Sequence, residues 1–259
     1  MILTIDIGNT DTMFALFEGN ICKGEWRLAT QPKRTADEYT IWLRHFLTDA
    51  GLNAAAIKTA IISCVVPRAL FSISRMVENL LKKPPLVITR QLMEQVGMRV
   101  VTERPDEVGA DRMINALAAW HQFKQPAIII DFGTATTFDV VNNQGDYCGG
   151  VIAPGINLSL EALHQAAAKL PNIAVQKPMK AIGTTTETAM QAGIYFGYLG
   201  LIERIVAEIK KEMQGCNPVV LATGGLGGLF SKATPLIDHY LPDLTVEGLR
   251  LTAEIAQAS

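Results

Sequence analysis

One short pattern occurs twice in this chain and constrains its fold more than any other feature. Ile5-Asp6-Ile7-Gly8-Asn9-Thr10-Asp11-Thr12-Met13-Phe14 stands near the start, and Ile130-Asp131-Phe132-Gly133-Thr134-Ala135-Thr136-Thr137-Phe138 stands mid-chain, 125 positions later (Asp131 minus Asp6). Each copy is an apolar strand, a tight Asp-x-Gly turn rich in hydroxyl or amide side chains, and a returning apolar strand. Glycine lets backbone N–H groups approach an anion, and Thr or Asn adds donors. A carboxylate at a strand end suits a hydrated metal ion. Two such turns from two halves of one chain are expected to grip a nucleoside triphosphate from both sides.

The chain has 259 residues, 49% hydrophobic and 19% charged, enough for a large core and for two domains. Its net charge of -2 gives no electrostatic basis for nucleic-acid binding, and no long Lys/Arg run occurs; Lys82-Lys83 and Lys210-Lys211 are single pairs. Cys22, Cys64, Cys148 and Cys216 are widely spaced with no Cys-x-x-Cys, against a zinc site or a disulfide framework. Cys64 and Cys148, in strand-like surroundings, are expected in the core. Absence of a leader-like start and of any apolar run of about 20 residues predicts a cytoplasmic protein with no membrane partner.

Strand and helix signals alternate in both halves. Met1–Ile7, Thr12–Phe17 and Ile21–Ala29 read as a three-stranded meander. Thr35 with Glu38 forms a capping box that opens a helix ended by Gly51. Ala60–Val65 reads as a buried strand, Arg68–Lys83 as an amphipathic helix and Leu86–Thr89 as a short strand. A helical segment from Pro105 to Phe123 leads into the strand Ala127–Asp131. Further strands follow at Phe138–Asn142 and Cys148–Ala153. Ile156–Leu170 is predicted helical, followed by a helix of about 25 residues toward Gly215 and a strand at Val219–Ala222. The predicted fold class is α/β: two similar mixed-sheet domains with a cleft between them, residues 1–115 and 116–259, joined by the helical segment.

The polar turns carry the candidate chemistry. Asp6 with Gly8, Asn9 and Thr10 also fits a plain Asx-type hairpin turn, but a turn alone would not need an acid at the same place in each half. Thr223-Gly224-Gly225-Leu226-Gly227-Gly228 follows a strand and precedes a helix. It suits a purine or a phosphate, or simply a crowded strand-to-helix turn. It lacks Gly-x-Gly-x-x-Gly spacing, and no P-loop occurs anywhere. Gly149-Gly150-Val151-Ile152-Ala153-Pro154-Gly155 reads as ligand approach or as strand-end punctuation. Gly109-Ala110-Asp111-Arg112 opens a helix. There Asp111 is either a helix cap or a general base, with Arg112 as a bidentate carboxylate anchor. His45, His121, His164 and His239 share no catalytic spacing, and Met76, Met93, Met113 and Met190 read as core.

Taken in order, Asp6-x-Gly8-Asn9-Thr10, Gly109-Ala110-Asp111-Arg112, Asp131-Phe132-Gly133-Thr134-Ala135-Thr136, Gly149-Gly150-x-Ile152-x-Pro154-Gly155 and Thr223-Gly224-Gly225 resemble type III pantothenate kinase. That family lies within the acetate kinase/sugar kinase/Hsp70/actin superfamily. Ala168-Lys169-Leu170-Pro171 is a lesser echo, and the resemblance spans nearly the whole chain. It implies an actin-like ATPase (ribonuclease H-like) fold and ATP-dependent phosphorylation of the pantothenate 4′-hydroxyl, the first step of coenzyme A synthesis. It further implies a homodimer needing Mg²⁺ and a monovalent cation, K⁺ or NH₄⁺.

Carried onto this sequence, the resemblance makes Asp111 the general base. Pantothenate is held by Gly109, Ala110, Asp111, Arg112 and Thr186. The ATP phosphates are wrapped by Asp6, Ile7, Gly8, Asn9, Thr10, Asp11, Thr12 and Met13, with Thr134 a further ATP contact and Gly224 and Gly225 beside the adenosine. Asp131 and Asp6 are the metal positions. The alternatives are another small-molecule kinase or phosphatase of the superfamily, or a non-enzymatic transcriptional accessory protein. The Asp111-Arg112 pair and the lack of a basic patch favour the enzyme.

Overall fold

The computed structural model describes residues 1–166 and 170–258. The first sheet comprises β1 (Ile2–Ile7), β2 (Asp11–Glu18), β3 (Ile21–Ala29), β4 (Thr59–Cys64) and β5 (Leu86–Val87), in the spatial order β3-β2-β1-β4-β5. The hairpin strands β1, β2 and β3 pair antiparallel, whereas β4 and β5 join parallel to their neighbours. A parallel addition requires a crossover, and the helices α1 (Ala36–Asp49) and α2 (Pro67–Leu81) supply two. The capping box of α1 forms as expected: Glu38 N–H donates to the Thr35 hydroxyl at 3.3 Å, and Thr35 N–H donates to the Glu38 carboxylate at 2.7 Å. α3 (Arg90–Gln95) and α4 (Ala110–Phe123) follow.

The second sheet repeats this plan. β6 (Ala127–Phe132), β7 (Ala135–Val141), β8 (Tyr147–Pro154), β9 (Val219–Gly224) and β10 (His239–Tyr240) lie in the order β10-β9-β6-β7-β8. Again the first three pair antiparallel, and the last two join parallel. α5 (Ile156–Ala166) and α6 (Thr186–Glu212) form the crossover between β8 and β9, and α7 (Gly227–Phe230) lies between β9 and β10. The predicted two mixed-sheet α/β units are therefore present.

Each sheet has its own core. Leu3, Ile5, Ile7 and Phe14 pack with Tyr39, Leu43, Leu47, Ile73, Met76 and Val77 of α1 and α2. Ile128, Ile130, Phe132 and Phe138 pack with Tyr195, Ile202, Val206 and Phe230. β1 and β6 are central strands, buried on both faces, which explains their largely apolar character.

The last helix, α8 (Leu244–Ala258), departs from the predicted division. The compact units are Met1–Ala118 with Leu244–Ser259, and Ala119–Asp243, so a contiguous second domain ending at 259 does not describe the chain. The reason is burial: α8 lies against β1 and β4, and its Val246 covers Ala15 and Phe17 on a face of the first sheet. Other boundaries also move. Pro105–Glu107 is a single 3₁₀ turn and α4 starts only at Ala110, whereas α3 is too short to show helical periodicity in the sequence. The expected helix through Leu170 is described to Ala166; Ala168-Lys169 of the lesser motif lies outside the described residues. Cys148 is exposed on β8 rather than in the core, because its side chain takes the outward phase of the strand.

Gly248 marks where α8 meets α4. A Cβ there would stand 2.8 Å from the Ile114 carbonyl oxygen and would also strike the Ile114 side chain. Gly248→Ala is expected to cost about 1–3 kcal/mol of stability through overpacking, read as a lower urea midpoint. An unchanged midpoint would mean that α8 is not held this closely.

Candidate active site

The first Asp-x-Gly turn joins β1 to β2. Ile7 pairs with Thr12, leaving Gly8, Asn9, Thr10 and Asp11 as the turn. Gly8 N–H donates to the Asp11 carbonyl at 3.0 Å, and Asn9, Thr10 and Asp11 are exposed. Thr12 and Met13 have already re-entered the sheet. Asp6 sits one residue before the end of β1, in parallel register with the fully buried Ser63 of β4.

Burial pushes the Asp6 carboxyl up to about 6, with the Ser63 hydroxyl offsetting part of the rise and the negative charge of Asp111 adding to it. Asp6 and Asp111 are thus electrostatic neighbours within the first unit. Asp111 lies in the first turn of α4, and its Oδ1 accepts from the Arg112 backbone N–H at 2.8 Å. Its carboxyl is also raised, by burial first, against the opposing pull of that N–H and of the Arg112 charge. Gly109 is needed beside it, since a Cβ there would stand 2.5 Å from Asp111 Oδ1, and Ala110 is buried. Desolvation and a like charge both leave such a pair short of positive charge. A hydrated Mg²⁺ fits that deficit. It would take its remaining ligands from water and phosphate, since no cluster of three or more acidic, His or Cys side chains exists among the described residues.

The second turn is one residue shorter. Phe132 pairs with Thr136, so Gly133, Thr134 and Ala135 form it, and Gly133 N–H donates to the Ala135 carbonyl at 3.0 Å. Gly133 and Thr134 are exposed, and Asp131 stands one residue before the end of β6. Gly224 ends β9 at φ +83°, and a Cβ there would lie 2.8 Å from Asp131 Oδ1 and 2.7 Å from the Phe132 carbonyl oxygen. Gly224 is therefore glycine because the chain must pass close to Asp131, whereas Gly225 faces open space. A carboxylate among backbone oxygens is the donor set a hard cation prefers.

Three residues that the sequence reading did not single out shape these turns. Tyr240 lays its ring over Gly227 and Gly228, and its hydroxyl donates to the Gly224 carbonyl at 3.3 Å. The Tyr198 hydroxyl lies 3.0 Å from the Pro154 carbonyl and 3.1 Å from that of Gly155, and 2.5 Å from Ser159 Oγ. Ser63 is legible only through the parallel register of β4. Thr186 is the first residue of α6, after the Thr185 cap. It lines an open pocket of about 480 Å³ with Leu163, Leu170, Ala189, Met190, Gly193 and Ile194.

Two units of this strand order, each with an acid at the end of its central strand, define a protein of the acetate kinase/sugar kinase/Hsp70/actin fold. The fold is shared with a Campylobacter jejuni protein described as a candidate Baf family transcriptional activator, at 19% identity and TM-score 0.63, covering 99% of this chain and 100% of that one. It is also shared with a Sinorhizobium meliloti protein described as a candidate 2-dehydro-3-deoxygalactonokinase, at 12% identity and TM-score 0.58, covering 100% of this chain and 96% of that one. In sequence, the profile of the type III pantothenate kinases matches residues 2–208, and the Paramagnetospirillum magneticum type III pantothenate kinase is 51% identical over 96% of this chain and 95% of its own. The chain belongs to the type III pantothenate kinase family.

The raised Asp6 carboxyl has a consequence for stability. Between about pH 4 and 6 the folded state retains a proton that the unfolded chain has released, so rising pH weakens the fold through this group. In EDTA, Asp6→Asn is expected to be more stable than the parent at pH 8 by about 1–3 kcal/mol, with the gain shrinking toward pH 4. A gain in melting temperature equal at both pH values would contradict this.

Proposed function

We propose that Asp111 is the general base by which this kinase moves the γ-phosphate of ATP to the 4′-hydroxyl of pantothenate, opening coenzyme A synthesis. Family membership across almost the whole chain supports the reaction. The observation that carries the role of Asp111 is its buried carboxyl, raised from the ordinary range and oriented by the Arg112 N–H at 2.8 Å. A base works best with its pKa moved toward the working pH. An alcohol is a poor nucleophile, and proton removal by a placed carboxylate is worth roughly 10²–10⁴-fold. Alignment and charge neutralisation must supply most of the rest, because phosphoryl transfer asks little covalent work of the protein.

In this reading Gly109, Ala110 and Arg112 hold pantothenate, with the Arg112 guanidinium matched to its carboxylate, and Thr186 gives a further substrate contact. Residues Asp6 to Met13 hold the ATP phosphates, Thr134 contacts ATP, and Gly224 and Gly225 flank the adenosine. Asp6 would hold Mg²⁺ and Asp131 a K⁺ or NH₄⁺ ion; bound there, these cations would offset triphosphate charge where no P-loop lysine exists. The chain would act in the cytoplasm as a homodimer. The open stripe of Gly193, Gly197 and Gly200 on α6, where added Cβ atoms would meet nothing, offers a surface for close approach of a second helix.

A coupled ADP-release assay with pantothenate, with and without potassium, tests the reading. Asp111→Asn is expected to lower kcat by at least about 10²-fold while ATP still binds; near-parental turnover would refute the base. Stimulation by K⁺ or NH₄⁺ over sodium should disappear in Asp131→Ala. A parent enzyme equally fast in sodium would remove the cation site from the account.

A further inference from the structure

The turn assigned to the ATP phosphates is held from outside by one residue. Thr30 follows the last residue of β3 and is half-buried. Its N–H donates to the Thr10 carbonyl at 2.8 Å, and its hydroxyl donates to the Gly8 carbonyl at 2.8 Å. With that proton spent on Gly8, the Thr12 hydroxyl at 2.9 Å is the donor to Thr30 Oγ1. All three partners lie in or directly beside the Gly8–Asp11 turn.

The second unit repeats part of this brace. Gly155 follows the last residue of β8, as Thr30 follows that of β3, and its N–H donates to the Thr134 carbonyl at 3.1 Å. No side chain fits there, since a Cβ would collide with the Thr134 and Gly133 carbonyls. The hydroxyl brace is therefore peculiar to the first unit, whose turn is one residue longer and has one more peptide to restrain.

Peptide planarity gives the brace a direction. No cis peptide occurs among the described residues, so each C=O opposes the N–H of the next residue across its plane. Tying the Gly8 carbonyl to Thr30 aims the Asn9 N–H away from Thr30, and tying the Thr10 carbonyl does the same for the Asp11 N–H. Both residues are exposed at the turn. Donors fixed before the anion arrives bind it without an ordering cost.

We infer that Thr30 is a positioning residue for ATP: its hydroxyl, through the Gly8 carbonyl, pre-orients the Asn9 N–H toward the phosphates, beside the Asp11 N–H that the Thr30 N–H orients through the Thr10 carbonyl. This rests on the reading of that turn as the phosphate site. Thr30→Val keeps the shape and the N–H but removes the hydroxyl. The expected result is a rise of about tenfold in both the calorimetric Kd and the KM for ATP, with the KM for pantothenate unchanged. Thr30→Ser should restore most of the affinity. If Thr30→Val does not fold, Thr30→Ala with Thr30→Ser gives the same comparison.

An ATP Kd within twofold of the parent in the hydroxyl-free variant would overturn the inference. So would a Thr30→Ser variant as weak as Thr30→Val, or a pantothenate KM that rises in step. Gly8→Ala separates the inference from the reading beneath it, because its Cβ would press to 3.0 Å on the Asp11 carbonyl oxygen. ATP binding untouched by Gly8→Ala would discard the turn as the phosphate site. Binding weakened by Gly8→Ala but not by Thr30→Val would discard Thr30 alone.

Discussion

The central strand of each sheet is the constraint on which the remainder rests. β1 is hydrogen-bonded to an antiparallel partner on one side and a parallel partner on the other, and β6 is placed in the same way. A strand enclosed on both edges and both faces has little tolerance for charge along its length. The carboxylates of Asp6 and Asp131 therefore stand near the strand ends, where the sheet gives way to a turn. Ligands of open α/β sheets gather outside the carboxyl ends of their strands for the same reason. Asp6 experiences this partial burial as a rise to about 6.

Around these strand ends, glycines act by absence of volume. Gly109 leaves space for the Asp111 carboxylate, Gly224 for that of Asp131, and Gly155 for the carbonyls of the Gly133–Thr134 turn. Gly227 and Gly228 serve instead as the floor under the Tyr240 ring. A glycine cluster in sequence thus divides, in space, into residues that admit a carboxylate and residues that admit a neighbouring side chain. The duplicated architecture is not an exact copy: the shorter second turn is braced by a glycine amide, the longer first turn by a threonine with two polar groups.

Much of this was legible in the order of residues. Asp-x-Gly at two places, each between apolar runs, was enough for two hairpins and two sheets, because period and turn chemistry are local properties. Thr35 with Glu38 marked the start of α1 for the same reason. Gly-Ala-Asp-Arg singled out Asp111, but nothing local distinguished a cap from a desolvated carboxylate, since burial depends on elements far along the chain. Ser63 and Tyr240 carried no signal, because their relevance comes from strand register. Thr30 had one latent clue, its place 125 positions before Gly155 (155 minus 30).

Sequence alone settled the alternation of strands and helices, the doubled acid-bearing turn and the kinship with the type III pantothenate kinases, all carried by short-range patterns of polarity and glycine. Folding in three dimensions settled what those patterns could not contain. It returned α8 to the first sheet, where Val246 covers Ala15 and Phe17. It set Asp111 close enough to Asp6 to raise its proton affinity, and it tied Thr30 to Gly8 across 22 residues. Contacts of that range depend on which strand lies beside which, and β-strand neighbours are chosen by the shared core rather than by the residues on either side.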